Sequence, residues 1–312
     1  MGMLDFHEVT MKRSLLQSLL VSSLIMGMAP VYALAEVTGA DQRLQSLYTS
    51  TAQLKQGQGK DRVSMFALQF LSEKSPYIVD PLGEGPQGDI SHGPLYRFDG
   101  FDCTTFVETV LALSLSSSPE QFRTRMNQIR YKNAVVSYKT RNHFPSIDWI
   151  PNNIENGFVK DITGSIGGSK TKWSQTWIEK DAWFAKKGPE YVQMSREFKP
   201  TLGQLPYVAK ADLLSSPEML AKIPSGTIFH VVRPNWDLRE GAGSRLDVSH
   251  MGFLIRENGV LYMVHASNGI TRDGSNDEKQ VKKEPLVAYV ERVMMASPTT
   301  AGINILAVRK TP

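Results

Sequence analysis

Two apolar runs, Val248 to Ile255 and Val260 to Ala266, meet across Glu257-Asn258-Gly259. Asn-Gly between such runs supplies the positive φ values that a tight hairpin turn needs, so this segment is expected to close as an antiparallel pair. The register then follows: position 257 opposes 260, 255 opposes 262 and 252 opposes 265. Side chains alternate along a strand, which puts positions 250, 252, 265 and 267 on one face. His250 and His265 become diagonal neighbours, about 7–8 Å apart at Cα. Gly252, opposite His265, has no side chain to block it. A slip of one residue would undo the arrangement.

The rest of the chain surrounds this hairpin with helices first and strands later. Leu44, Leu47 and Tyr48, then Val63, Phe66, Ala67, Phe70 and Leu71, recur at helical spacing. From Ser75 to Gly100 prolines and glycines punctuate a loop. A helix is predicted from Cys103 to about Leu115, with Asp102 as its N-cap and Phe106, Val107, Val110, Leu111 and Leu113 as its apolar face. Ser116-Ser117-Ser118-Pro119 ends it and starts another, which holds Phe122, Met126 and Ile129. Further strands are predicted at Thr227–Val232 and Ile303–Val308. The expected class is α+β, one catalytic-size domain over residues 36–312 with an insertion at about 120–222. That insertion gives mixed signals and is rich in tryptophan.

The N-terminus has a different character. Met11-Lys12-Arg13, an apolar run from Ser14 to Met28 and then Ala33-Leu34-Ala35 form a basic, hydrophobic and small-x-small series. This reads as a secretory signal peptide over residues 1–35, with cleavage near Ala35 and Met11 as an alternative start. A retained anchor is the competing reading, although the run is short for a membrane span. No other segment is long and apolar enough to cross a bilayer, so the exported chain is expected to have no integral span. Asp5 and Glu8 balance Lys12 and Arg13, so the net charge of +4 survives removal. A mildly basic balance suits an anionic polymer but is far from the footprint of a nucleic-acid binder. The basic cluster Lys279 to Lys283 reads as a solvated loop.

Export sharpens the question posed by the single cysteine among the 312 residues, Cys103. A lone thiol forms no internal disulfide and is open to oxidation unless it is buried or has a chemical role. At a helix start it faces unpaired N–H groups and the positive end of the helix dipole, which lower a thiol pKa. With His250 as base and His265 as orienting group, Cys103 is a candidate nucleophile for acyl transfer and hydrolysis. Its own N–H is a candidate oxyanion donor. Competing readings remain: a buried structural thiol, unrelated surface histidines, or a Cys-His-His metal site, which lacks a fourth ligand. No metal and no cofactor is expected. His92 receives no role, and His230, in mid-strand, reads as a core histidine.

These residues resemble a known family. Phe101-Asp102-Cys103-Thr104-Thr105-Phe106-Val107-Glu108 is similar to the Asp-Cys-[Ser/Thr] helix start of NlpC/P60 cysteine peptidases. Ser249-His250-Met251-Gly252-Phe253-Leu254 and Val264-His265-Ala266-Ser267 resemble their second and third motifs. The finer resemblance is to the DUF1460, N-acetylmuramoyl-L-alanine amidase-like branch, also through Arg141-Asn142-His143-Phe144, Asp148-Trp149, Asn152-Asn153 and Asp161-Ile162-Thr163. It spans about residues 60–310. The resemblance implies a papain-like fold, a periplasmic enzyme, and a peptidoglycan or muropeptide substrate cut between N-acetylmuramic acid and L-alanine, with a leaning toward 1,6-anhydro muropeptides. The alternatives it leaves are a stem-peptide endopeptidase of the same fold and a non-catalytic peptidoglycan-binding module. The family's tyrosine before the cysteine maps to Tyr77 or Tyr96, with Tyr77 the better match. Arg141, His143, Asp148, Trp149 and Asn153 are the candidate sugar or peptide contacts, with Trp149 reading equally as core and His143 equally as a surface or capping residue, and the insertion that holds them is expected to wall the substrate site.

Overall fold

The computed structural model describes residues 29–52, 62–269 and 277–309. The expected signal segment falls outside the described residues as far as Met28, and residues 29–35 begin the first helix, α1 (Ala29–Ala52). The longer helices α2 (Arg62–Ser72), α3 (Cys103–Ser114) and α4 (Pro119–Arg130), and a short helical segment at Ile150–Glu155, precede the sheet. Among the described residues no helix is long and apolar enough to cross a membrane.

Among the described residues the sheet has eight strands: β1 (Val159–Asp161), β2 (Thr171–Ile178), β3 (Thr201–Ala209), β4 (Thr227–Leu238), β5 (Ser244–Glu257), β6 (Val260–Ala266), β7 (Val281–Pro285) and β8 (Gly302–Val308). Their order is β2-β3-β8-β4-β5-β6-β7, with β1 also on β8, and every pairing is antiparallel. The α+β expectation is therefore met. The β5–β6 hairpin has the expected register, with Glu257 opposite Val260 and Ile255 opposite Tyr262. Asn258 and Gly259 both take positive φ, at 48° and 82°, as the tight turn requires.

A core lies on each face of this sheet. On one, Phe106, Val107, Val110 and Leu111 of α3 pack with Phe253 and Val264. The Phe106 and Phe253 rings meet edge to face at 5.8 Å. Phe106 is fully buried, and that alone contributes roughly 1.5–3 kcal/mol of apolar transfer. From Thr105 to Ser114 every residue of α3 is buried, so the helix is enclosed and its start is held tightly. On the other face Phe229, Leu254 and Met263 pack with Leu286, Tyr289 and Met294.

Two expectations are corrected. The basic segment near Lys279–Lys283 is not wholly a loop: Val281 to Pro285 pair with β6 as β7. Val281 is buried and Lys283 exposed, while Lys282 turns to the face that carries His265, so charged side chains masked the strand. The insertion contains β1, β2 and β3, unseen in the mixed local signal. In β2 and β3 buried Ser174, Thr176 and Gly203 occupy inward positions, while Trp173 and Trp177 point out, 64 % and 54 % exposed. Polar-in and apolar-out inverts the pattern that reveals a strand.

Candidate active site

Asp102 ends the loop and caps α3 from an extended conformation. Its Oδ1 accepts the Thr105 N–H at 2.7 Å, and its own N–H donates to Thr105 Oγ1 at 3.0 Å, a reciprocal capping box. Cys103 follows as the first helical residue, half-buried. The Met251 N–H, one residue past His250, points at its sulfur. The expected depression of the thiol pKa is not found. Burial, then the neighbouring Asp102 carboxylate, pushes the Cys103 thiol up to about 12, outweighing the donors from Thr104 and Met251.

Cys103, Tyr77, His250 and His265 line one cleft of about 460 Å³. His250 Nε2 and His265 Nδ1 are hydrogen-bonded at 2.7 Å. His265 begins directly against Gly252, where an added Cβ would come within 2.7 Å of His265 Cβ and 2.8 Å of the Phe229 ring. Only glycine fits there, as the hairpin register implied. Two ring nitrogens that share one proton do not converge on a common metal. Among the described residues no cluster of three or more His, Cys, Asp or Glu side chains is arranged to hold one.

The chain of contacts continues to a residue that sequence reasoning missed. His265 Nε2 lies 3.1 Å from Glu284 Oε1, on the strand mistaken for a loop. Arg292 Nη2 donates to Glu284 Oε2 at 2.6 Å, and Lys282 Nζ stands 3.4 Å from Oε1. Despite burial, the His265 contact and these cations hold the Glu284 carboxyl down at about 2. Burial, together with its neighbour His265, holds His250 well below the usual imidazole range, and burial lowers His265 too. The resting site is therefore a neutral thiol, two neutral imidazoles and a carboxylate.

The remaining candidates fall elsewhere. Tyr77 is held at the cleft by its N–H to Lys279 O, 2.8 Å, and burial raises its phenol to about 12, with Cys103 the next contributor. Tyr96 instead bonds Asp41 at 2.6 Å and packs on Phe122, away from the cleft lining. Trp149 and Asn153 are 1 % and 0 % exposed, which corrects their reading as substrate contacts: they are core residues. Asn153 donates to Trp149 O at 2.8 Å. Arg141 pairs with Glu84, and Asp148 with Lys180 at 2.8 Å; both line a different cavity of about 620 Å³. His143 bonds Tyr138 O at 2.7 Å between the rings of Tyr138 and Trp183. No residue from 120–222 lines the Cys103 cleft, so the insertion does not wall it. The walls come from Arg233 and Trp236 at the end of β4 and from Tyr289, Arg292 and Met294. His230 is fully buried against Trp149, as a core histidine.

Among curated proteins none matches. A crystal structure of a Legionella pneumophila protein of the DUF1460 family is 32 % identical with a TM-score of 0.78, over 90 % of this chain and 98 % of that one. A crystal structure of an N-acetylmuramoyl-L-alanine amidase from Bacteroides uniformis is 26 % identical with a TM-score of 0.60, over 81 % of this chain and 100 % of that one. The AmiA-like pattern, described as N-acetylmuramoyl-L-alanine amidase-like, matches residues 66–296. With most of its length accounted for in this way, the chain belongs to the AmiA-like, DUF1460 family of N-acetylmuramoyl-L-alanine amidase-like proteins.

Proposed function

We propose that this protein is an exported, periplasmic cysteine amidase of NlpC/P60 type that hydrolyses the amide between N-acetylmuramic acid and L-alanine in peptidoglycan fragments, 1,6-anhydro muropeptides among them. The observation that carries the reading is the cleft in which a helix-tip thiol meets a hydrogen-bonded histidine pair. The family's amidase description and the Bacteroides uniformis amidase support the choice of bond. The cleft lining also carries Arg233, Lys282 and Arg292 against Glu284, a cationic balance suited to a substrate bearing carboxylates.

His250 Nε2 is engaged by His265, so its Nδ1 is the atom left to take the thiol proton. As Sγ attacks the lactyl carbonyl carbon, that proton passes to His250 and the negative charge moves to the carbonyl oxygen. The Cys103 N–H and the Tyr77 hydroxyl are the candidate donors to this oxyanion. Collapse breaks the C–N bond, and His250 gives its proton to the departing L-alanine amine. A Cys103 thioester remains. Water, deprotonated by His250, attacks it and releases the lactyl carboxylate and the thiol.

Mass spectrometry of products from defined anhydro and reducing-end muropeptides tests the bond. Intact stem peptide plus the free lactyl sugar is the expected result; a shortened stem attached to sugar would make the protein an endopeptidase. The pH profile tests the mechanism. His250 is held below the ordinary imidazole value of 6.5, so it stays neutral and able to accept a proton as pH falls through 6.5. Values of kcat/KM are therefore expected to remain level from pH 8 down past about 6.5, declining only at lower pH. An acid limb centred above 6.5 would contradict this environment.

A further inference from the structure

We infer that Glu284 is a positioning residue that fixes the direction of the proton chain running through His265 and His250, and so decides whether the nitrogen facing Cys103 is a base. The inference rests on the cysteine-nucleophile reading of the cleft but not on the identity of its substrate.

The argument is one of donors and acceptors. Three groups are joined in series: Glu284 Oε1 to His265 Nε2 at 3.1 Å, and His265 Nδ1 to His250 Nε2 at 2.7 Å. A neutral imidazole carries one N–H and one lone pair, so the series admits two arrangements. In the first, His265 donates from Nε2 to the carboxylate, accepts at Nδ1 from His250 Nε2–H, and leaves His250 Nδ1 with a lone pair. In the second every bond is reversed: His250 carries its proton on Nδ1 and presents N–H, not a base, to the thiol. The second requires a donor at the Glu284 end. An ionised carboxylate only accepts, which excludes it.

The surroundings keep that carboxylate ionised. Arg292 donates to Oε2 at 2.6 Å, and Lys282, itself paired with Asp277, stands beside Oε1. Tyr289 packs its ring against His265 at 5.9 Å and limits rotation of the imidazole. Lys282 and Glu284 reach the histidines because β7 pairs with β6, placing Lys282 opposite His265 and Glu284 opposite Met263. The segment around Val281 therefore has a mechanistic reason to be a strand: a loop would not hold the carboxylate in line with the ring. When His250 takes the thiol proton, the negative end of the series also stabilises the imidazolium.

The test follows the thiol directly. Cys103 alkylation by iodoacetamide is measured at pH 7 in the wild type and in Glu284→Gln, with thermal unfolding to establish that the variant is folded. The amide can present N–H to His265 and carries no charge, so alkylation is expected to slow at least about tenfold, with kcat on defined muropeptides falling roughly 10²- to 10⁴-fold at little changed KM. Equal alkylation rates in a folded variant overturn the inference. Should the variant not fold, 15N spectra of the wild-type imidazoles decide: the proton must be found on His265 Nε2 and on His250 Nε2, and the opposite tautomers overturn it. Normal alkylation behaviour without muropeptide hydrolysis would remove the amidase reading and leave the role of Glu284 standing.

Discussion

Replacing Cys103 with alanine is expected to abolish muropeptide hydrolysis, with kcat falling by roughly 10⁴- to 10⁶-fold, as when a nucleophile is removed from other nucleophile–base pairs. Substrate affinity should be almost unchanged, because the cationic walls and Tyr77 remain. The fold should also survive. The substitution removes one half-buried sulfur at the helix start, whereas the cap is made by Asp102 and Thr105 and the packing by Phe106 onward. Alanine at the first helical position carries no propensity penalty. Progress curves on a defined muropeptide, with calorimetric binding to Cys103→Ala, separate the two readings of the cleft. Retained turnover would show that the thiol is structural and that another group does the chemistry. Retained binding with lost turnover is the signature of covalent catalysis, and a binding module has no reason to show it.

The ease with which different parts of this site can be read from sequence follows the range of the forces involved. The hairpin was legible because Asn258-Gly259 is a local signal, and period-two alternation then carries the register to His250 and His265 without reference to the rest of the fold. The start of α3 was legible for the same reason: Asp102 just before the apolar helical run is a local N-cap signal, and the structure adds Thr105 as its reciprocal partner. Glu284 was not. Its contact with His265 depends on β7 pairing with β6, a tertiary event, and its segment is rich in lysine and resembles any solvated one. The thiol environment was misjudged because the helix dipole is a local inference, while burial by the opposing strand is a tertiary one, and here burial wins. Trp149 and Asn153 carry the same lesson from the other side. A motif that resembles a binding site holds residues that instead fasten a helical turn to α3, through Trp149, and to α4, through Asn153.

That fastening yields the second large effect. Arg130 Nε lies 3.2 Å from Glu108 Oε2, with the two side chains 3 % and 4 % exposed. Trp149 Nε1 donates to the other oxygen, Oε1, at 3.2 Å. Arg130→Ala leaves the Glu108 carboxylate buried without its counter-charge, and the expected cost is about 3–5 kcal/mol near pH 8. The sign with pH is fixed by Glu108. Burial raises its carboxyl to about 7 even with Arg130 in place. A carboxyl raised on folding holds a proton that the unfolded chain releases, so stability falls as pH rises from the ordinary value of 4.5 toward the folded one, then levels off. Without Arg130 the folded value climbs further and the decline extends to higher pH. Denaturant titrations should therefore show a larger loss for Arg130→Ala at pH 8 than at pH 5, where the variant can keep Glu108 protonated. The double variant Glu108→Gln, Arg130→Met should recover much of the loss, since the amide oxygen still accepts from Trp149 and no charge is buried. An equal loss at both pH values would mean that packing around Arg130, and not the charge it neutralises, holds α4 to α3. Glu108 stands five positions along α3 from Cys103. The charge pair behind the helix therefore helps set where its tip presents the sulfur, and a variant that loosens it should lower kcat before it unfolds the protein.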